Sequence, residues 1–254
     1  MHELQTAFRF IDCCDRVGVR VRGDGALARL NELPGIGPEE DLCLRAARLL
    51  QRESGTRLGA ELALEKCIPI GGGLGGGSSD AATVLLALNR LWRLGLRRAE
   101  LLELAARLGA DVPVFVFGEN ALGEGIGERL RALPLPAAWY LVLVPQVRVS
   151  TAEIFADRAL TRDSKPLKIP PLFPVLGAND LEPVALRRYP AIGQHLAWLR
   201  KRRAHARMTG SGACVFDEFA QEAEAEAVLK ELPAPMLGFV ARGLERHPLH
   251  ALAL

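Results

Sequence analysis

Between Pro69 and Leu85 the chain reads PIGGGLGGGSSDAATVL, with six glycines in the seven positions from Gly71 to Gly77. No other stretch limits the fold so strongly. Glycine loses more conformational entropy on ordering than any other residue, so a run this dense persists where bare backbone does something that side chains would obstruct. Before it, Glu61 to Ile68 reads as extended; after it, about Ser79 to Leu94 reads as a helix, with Ala82, Leu85, Leu86, Asn89 and Trp92 along one side and Gly95 as its stop. A strand, a glycine loop and a helix N-terminus in that order make an anion site, because backbone N–H groups turn onto a ligand and the helix end adds unpaired donors and partial positive charge. The expected guest is phosphate, with Ser78 and Ser79 supplying hydroxyls for phosphate or Mg²⁺ and with Ser79 or Asp80 capping the helix.

Two familiar phosphate loops do not fit. The P-loop requires a lysine just after its last glycine, where this chain has Ser78. Gly71, Gly73 and Gly76 satisfy the dinucleotide G-x-G-x-x-G formally, but a glycine run matches almost any glycine pattern, and no further strand with a ribose-binding acid follows. A second helix is predicted instead, at about Arg98 to Leu108, ended by Gly109.

Two helices in succession with no buried strand between them point to an α+β architecture rather than a repeating parallel sheet. Val17, Val19 and Val21 alternate with polar residues as in a half-buried strand, and Asp41 to Arg52 carries Leu42, Ala46, Leu49 and Leu50 at helical spacing. Further on, Trp139 to Val144 is a compact apolar strand, and Lys165 to Val175 is too rich in proline for regular structure. The last third predicts a helix around Ile192 to Arg203, a strand ending at Phe216, a helix from Gln221 to Leu232 and a strand at Gly238 to Arg242, a second and smaller α/β sandwich.

The 254 residues carry 32 basic and 30 acidic side chains, intermixed rather than segregated, so neither nucleic acid nor an anionic membrane is an expected partner. A small molecule is. The five cysteines include no C-x-x-C pair, which fits a reducing cytoplasm, and Cys13-Cys14 is expected to be a pair of small buried apolar residues. His247 and His250 have Pro248 between them and no companion ligand, so no metal site is expected there.

Pro69 to Ala82 resembles the ATP-binding loop of the small-molecule kinases that include galactokinase, homoserine kinase, mevalonate kinase and phosphomevalonate kinase, the GHMP kinases. Its doubled glycine form is similar to one branch in particular, which acts on 4-diphosphocytidyl-2-C-methyl-D-erythritol in the non-mevalonate isoprenoid pathway. HELQT (His2 to Thr6), LGADVPVF (Leu108 to Phe115), VSTAEIF (Val149 to Phe155), MTGSGACVF (Met208 to Phe216) and the segment Gly238 to His250 also resemble that branch. The resemblance implies a two-domain GHMP-kinase fold, an ATP-binding α/β domain over residues 1–135 and a ferredoxin-like α/β sandwich over 136–254, working as monomer or homodimer on ATP and Mg²⁺. It implies Asp111 as the catalytic aspartate; Lys66, Pro69, Gly71, Gly72, Gly73, Leu74, Gly75, Gly76, Gly77, Ser78 and Ser79 at ATP; and His2, Thr151, Phe155, Thr209 and Gly210 at the acceptor, with His2 and Phe155 on the cytosine.

Two departures accompany it. In the family a strand with a catalytic lysine and asparagine, and then a stacking tyrosine, precede the histidine segment; here Met1 stands in the tyrosine's place, and weak stability and weak activity are expected of these residues alone. Asp41 stands where the family usually has an asparagine that helps recognise adenine. A nucleotide-binding pseudokinase and another GHMP kinase such as homoserine kinase are the alternatives.

Overall fold

The computed structural model describes residues 4–33, 35–125, 127–162, 164 and 178–253. His2 and the proline-rich Lys165 to Val175 lie outside the described residues. In chain order the first half contains β1 (Leu4–Phe8), β2 (Phe10–Ile11), β3 (Arg16–Arg22), β4 (Leu27–Arg29), α1 (Leu42–Ser54), β5 (Gly59–Glu65), α2 (Gly76–Leu91), α3 (Arg98–Leu108), α4 (Val112–Phe117), β6 (Ala121–Gly125) and β7 (Arg129–Ala132). The second half contains β8 (Trp139–Leu143), α5 (Thr151–Ala156), α6 (Glu182–Arg188), α7 (Pro190–Arg200), β9 (Arg207–Met208), β10 (Val215–Phe219), α8 (Glu222–Lys230) and β11 (Gly238–Leu244).

Among the described residues the strands form three sheets, in the orders β1-β6-β7, β3-β5-β4 and β2-β11-β8-β10-β9. In the second of these, β5 is the middle strand and Leu62 and Leu64 turn into the core with Leu44, Leu50, Leu85, Leu88 and Leu101 of α1, α2 and α3. Burying a leucine side chain contributes roughly 1.5–3 kcal/mol, so this cluster fixes how α2 leaves the glycine loop. In the third sheet Leu141, Leu143, Val215 and Phe219 pack beneath α7 and α8, which is the expected α/β sandwich. Its edge strand β2 comes from the chain's first residues and pairs antiparallel with β11, Ile11 opposite Gly243.

The α+β class, the strand at Val17 to Val21 and the helix α3 agree with the sequence; β5 (Gly59–Glu65) and α7 (Pro190–Arg200) are each shifted by a few residues from the expected Glu61 to Ile68 and Ile192 to Arg203, and three further boundaries differ. The helix after the loop begins at Gly76, because Gly75 takes the left-handed N-cap conformation (φ 71°) without any side-chain cap; neither Ser79 nor Asp80 caps it. It ends at Leu91 rather than Leu94, since the Asn89 carboxamide accepts from Leu96 N at 3.0 Å and donates to Leu96 O at 2.9 Å, and Arg93 adopts φ 57° to bring the chain back. And β10 begins at Val215 instead of ending at Phe216, because the residues before it form a second glycine loop.

Candidate active site

The two glycine loops are docked on each other. Thr209 Oγ1 donates to Gly73 O at 2.9 Å and Cys214 N donates to Gly72 O at 3.0 Å. Gly73 has φ 71°, and a Cβ there would lie 2.6 Å from Thr209 O and 2.7 Å from Gly212 O, so only glycine fits. The second loop is held in turn by Asn179, whose Nδ2 donates to Met208 O (3.0 Å) and Gly210 O (2.8 Å), and Thr151 and Ser211 share a hydroxyl hydrogen bond of 2.8 Å. With the carbonyls of Gly72 and Gly73 committed to the second loop, the first intrahelical bond of α2 runs from Ser79 N to Gly75 O, and among the described residues the amides of Gly76, Gly77 and Ser78 are the unpaired donors of the helix end.

Behind the loop sits a buried ion triad. Lys66 Nζ is ion-paired with Asp15 and, at 2.8 Å, with Asp80 of α2; the three side chains are 15%, 1% and 5% exposed. It also lies 3.2 Å from where a Cβ on Gly76 would stand, directly under the helix end. Burial pulls the ammonium's pKa down, and hydrogen bonds to Asp15 and Asp80 more than reverse that, so it lies above the ordinary lysine value. Burial pushes the Asp80 carboxyl up to about 6, with Lys66 opposing it. Asp15 Oδ1 also accepts from Cys67 N (2.6 Å) and Ile68 N (2.8 Å), tying the loop's first residues to the start of β3.

Asp111 occupies the position before α4, makes no cap hydrogen bond and is exposed to the cleft. Among the described residues no hydrogen bond or ion pair reaches it. Surrounding protein desolvates the carboxyl and raises its pKa, and no charged group takes part in that shift. One turn along α4, Phe115 lies against Gly75, where a Cβ would meet the ring at 2.9 Å, so the helix that carries Asp111 is seated on the phosphate loop. Lys66, the loop, Asp111, Thr151, Phe155, Thr209 and Gly210 all line one cleft of about 2620 Å³. That exceeds the ~300–1,000 Å³ of an ordinary small-molecule pocket.

Asp41 is a buried cap rather than a free edge for a base. Its Oδ1 accepts from Cys43 N at 2.8 Å and Leu44 N at 3.4 Å, and its Oδ2 pairs with Arg29 at 2.7 Å. The expectation of two buried cysteines at 13 and 14 is corrected: Cys13 is half-buried and Cys14 exposed, because their segment runs along the cleft wall between β2 and β3. Sequence reasoning missed Asp15, Asp80 as an ion-pair partner, Arg29 and Asn179. For Asn179 the Gly-Ala-Asn-Asp turn was a signal; for Asp15 there was none, since only the β3–β5 register brings it to Lys66.

Residues 41–119 match the model of the GHMP kinases N terminal domain and residues 171–237 that of the GHMP kinases C terminal. The chain is 59% identical to the 4-diphosphocytidyl-2-C-methyl-D-erythritol kinase of Nitrosospira multiformis, across 99% of this chain and 86% of that protein. It is 56% identical to the protein of the same name from Thiobacillus denitrificans, across 98% and 89%. Among solved structures it is similar to a 4-(cytidine 5'-diphospho)-2C-methyl-D-erythritol kinase, with a TM-score of 0.78, 34% identity and 95% and 90% of the two chains covered. The Methanococcus jannaschii mevalonate kinase, at 16% identity and a TM-score of 0.66, shares the fold.

Proposed function

The chain belongs to the 4-diphosphocytidyl-2-C-methyl-D-erythritol kinases of the GHMP kinase family, and from that premise we propose that it transfers the γ-phosphoryl group of ATP to the 2-hydroxyl of 4-diphosphocytidyl-2-C-methyl-D-erythritol. The products are ADP and the 2-phosphate. The observation that carries this reading is the shared cleft: the α2 amides and the Asp111 carboxylate, both without a protein partner among the described residues, open onto the same space, on elements seated against each other through Phe115 and Gly75.

Gly71, Gly73, Leu74 and Gly75 to Gly77 wrap the triphosphate with backbone N–H groups, Pro69 and Gly72 shape the entry to the loop (Gly72 N donates to Pro69 O at 3.3 Å), and Lys66 supports it from behind. The hydroxyls of Ser78 and Ser79 have no protein partner among the described residues and suit an oxygen-ligated cation. Mg²⁺, arriving with ATP, supplies charge neutralisation there. Asp111 accepts the proton of the acceptor hydroxyl as its oxygen bonds to the γ-phosphorus and the bond to the β-phosphate oxygen breaks. A neutral surrounding that raises the carboxyl's pKa makes it a stronger base once ionised.

Residues 1–135 contribute the ATP loop and Asp111, and residues 136–254 the second glycine loop and the acceptor wall. On that wall Phe155 is half-buried against the core of the third sheet and suits the stacking of a flat base, with Thr151 at the start of the same helix. His2 completes the base site in this reading. Thr209 and Gly210 lie on the second glycine loop beside the acceptor wall, where Thr209 braces Gly73 of the first loop and Gly210 O is held by Asn179. Among the described residues no helix is long and apolar enough to cross a membrane; the proposed setting is the cytoplasm.

The test is ADP release by the purified protein with ATP, Mg²⁺ and one of three acceptors. Turnover with 4-diphosphocytidyl-2-C-methyl-D-erythritol and none with homoserine or mevalonate is the expected result. ATP binding with no ADP release from any acceptor would replace the kinase by a nucleotide sensor, and turnover with homoserine alone would move the activity to a sister enzyme.

A further inference from the structure

Strands β3 and β5 run antiparallel from Arg22 opposite Gly59 to Arg16 opposite Glu65, where the ladder ends at the root of the glycine loop. Each step toward the loop moves one residue down β3 and one up β5, so the next pairs in this register are Asp15 with Lys66 and Cys14 with Cys67. The first of these is made, as the Lys66–Asp15 ion pair, and Asp15 additionally accepts from Cys67 N and Ile68 N. The Asp15 side chain thus holds Lys66 and the two residues after it against the start of β3. Continued in this register, with side chains alternating between faces, Cys14 and Cys67 fall opposite the buried Lys66 and Asp15, on the face where Arg16 and Glu65 pair at 3.6 Å with side chains 79% and 63% exposed. Both thiols are exposed and free.

We propose that Cys14 and Cys67 form a cross-strand dithiol that closes to a disulfide by exchange with a low-molecular-weight disulfide and clamps the root of the glycine loop. Directly opposed residues of an antiparallel pair have Cβ atoms about 4.5–5.5 Å apart, and a disulfide needs ~3.5–4.5 Å, a difference that segments beyond the last ladder bond can close. The remaining cysteines are poor competitors. Burial, followed by the nearby Asp15, Cys14 and Cys67, pushes the Cys13 thiol up to about 11. Burial pushes Cys214 up to about 12 against Gly72, and raises Cys43 well above the ordinary range. Thiolate is the attacking species, so exchange is directed to the exposed pair.

The chemistry balances. The thiolate of one cysteine attacks a sulfur of the small disulfide RSSR and expels RS⁻, leaving a mixed disulfide on the protein; the second cysteine, losing its proton to water, attacks the protein-bound sulfur and expels the other RS⁻. The protein loses two hydrogens and the small disulfide becomes two thiols. The bridge straddles the Lys66–Asp15 pair and fixes the strand end from which Pro69 enters the loop, making the nucleotide loop sensitive to thiol–disulfide poise independently of which acceptor is phosphorylated.

The experiment exposes the folded protein to oxidised glutathione in glutathione buffer and reads intact mass, linked peptides and melting temperature. A mass loss of about 2 Da, a peptide joining Cys14 to Cys67, a melting temperature raised by several degrees and reversal by dithiothreitol are expected. Cys13→Ser should close as the parent does, whereas Cys14→Ser and Cys67→Ser, checked for folding by their reduced-state ADP release, should each hold a glutathione adduct instead. A link from Cys13 to Cys67, or stable separate adducts on Cys14 and Cys67 in the parent protein, would overturn the proposal.

Discussion

The two aspartates on either side of the phosphate loop have pKa values raised by the same cause and are put to opposite uses. Behind the loop Asp80 is buried, ion-paired with Lys66 and close to Asp15. In front of it Asp111 is exposed to the cleft with no protein group on its carboxylate among the described residues. The back of the loop is over-determined, with an ion triad, Asp15's hold on two amides and a second loop docked on top; the front has been left uncommitted. The contrast says where stability and chemistry reside, because the Asp80 carboxylate is engaged by the Lys66 ammonium, whereas that of Asp111 is open to a substrate hydroxyl.

The sharpest break of this contrast is Asp111→Asn. Removing a positioned general base costs about 10²–10⁴ in rate. We expect the kcat for ADP release to fall by that factor while the melting temperature holds or rises slightly, because no hydrogen bond or ion pair among the described residues is lost and the raised pKa means that ionised Asp111 disfavours folding at neutral pH. An acid limb of kcat/KM lying above the ordinary carboxylate range should disappear with it. A melting temperature that drops along with the rate would make Asp111 a structural residue.

Lys66→Met should do the reverse in kind and nearly match it in size. It leaves two buried carboxylates without their cation, and breaking a buried pair by removing one partner costs about 3–5 kcal/mol. Denaturant unfolding should show that loss, and an unchanged midpoint would mean that Asp15 and Asp80 are held by something other than Lys66.

These residues also mark where sequence reading stops. Local signals were legible: the glycine loop, α3 with both its ends, the strand at Val17 to Val21, and the docking site of the second loop as a motif. Partnerships across the chain were not. Lys66 reads as a lysine at a strand end, and its two carboxylates come from positions 15 and 80, joined only after β3 and β5 have paired and α2 has folded back. The α2 N-cap was missed because the preference for serine and aspartate at caps is outweighed where glycine can adopt the left-handed conformation. Likewise β2, two residues long, carries no periodicity of its own and exists because β11 presents an edge to it.

A smaller effect separates Asp80 by pH. Its folded pKa of about 6 exceeds the ordinary value of about 4, so its contribution to stability is fully present below pH ~4 and is lost as pH rises through about 6. In Asp80→Asn the amide oxygen still accepts from Lys66 but nothing titrates. The melting temperature of the parent minus that of the variant should therefore fall between pH ~4 and ~6, and a flat difference would mean that Lys66 keeps Asp80 ionised throughout.

The smallest change tests whether the docking of the two glycine loops is itself part of the nucleotide site. Thr209→Val keeps the shape of the side chain and deletes the hydroxyl that donates to Gly73 O. Losing such a bond costs about 0.5–1.5 kcal/mol. Cys214 N still holds Gly72 O and Asn179 still holds the second loop, so the fold should survive with a modest loss of stability. If the docked carbonyls are what keep the loop's amides turned toward the triphosphate, KM for ATP should rise several-fold with kcat nearly unchanged, since Asp111 and its helix contact the loop at Gly75 rather than at Gly73. If instead kcat falls and KM holds, the hydroxyl acts on the acceptor, and the division between a braced back and a free front has to be redrawn with Thr209 in front.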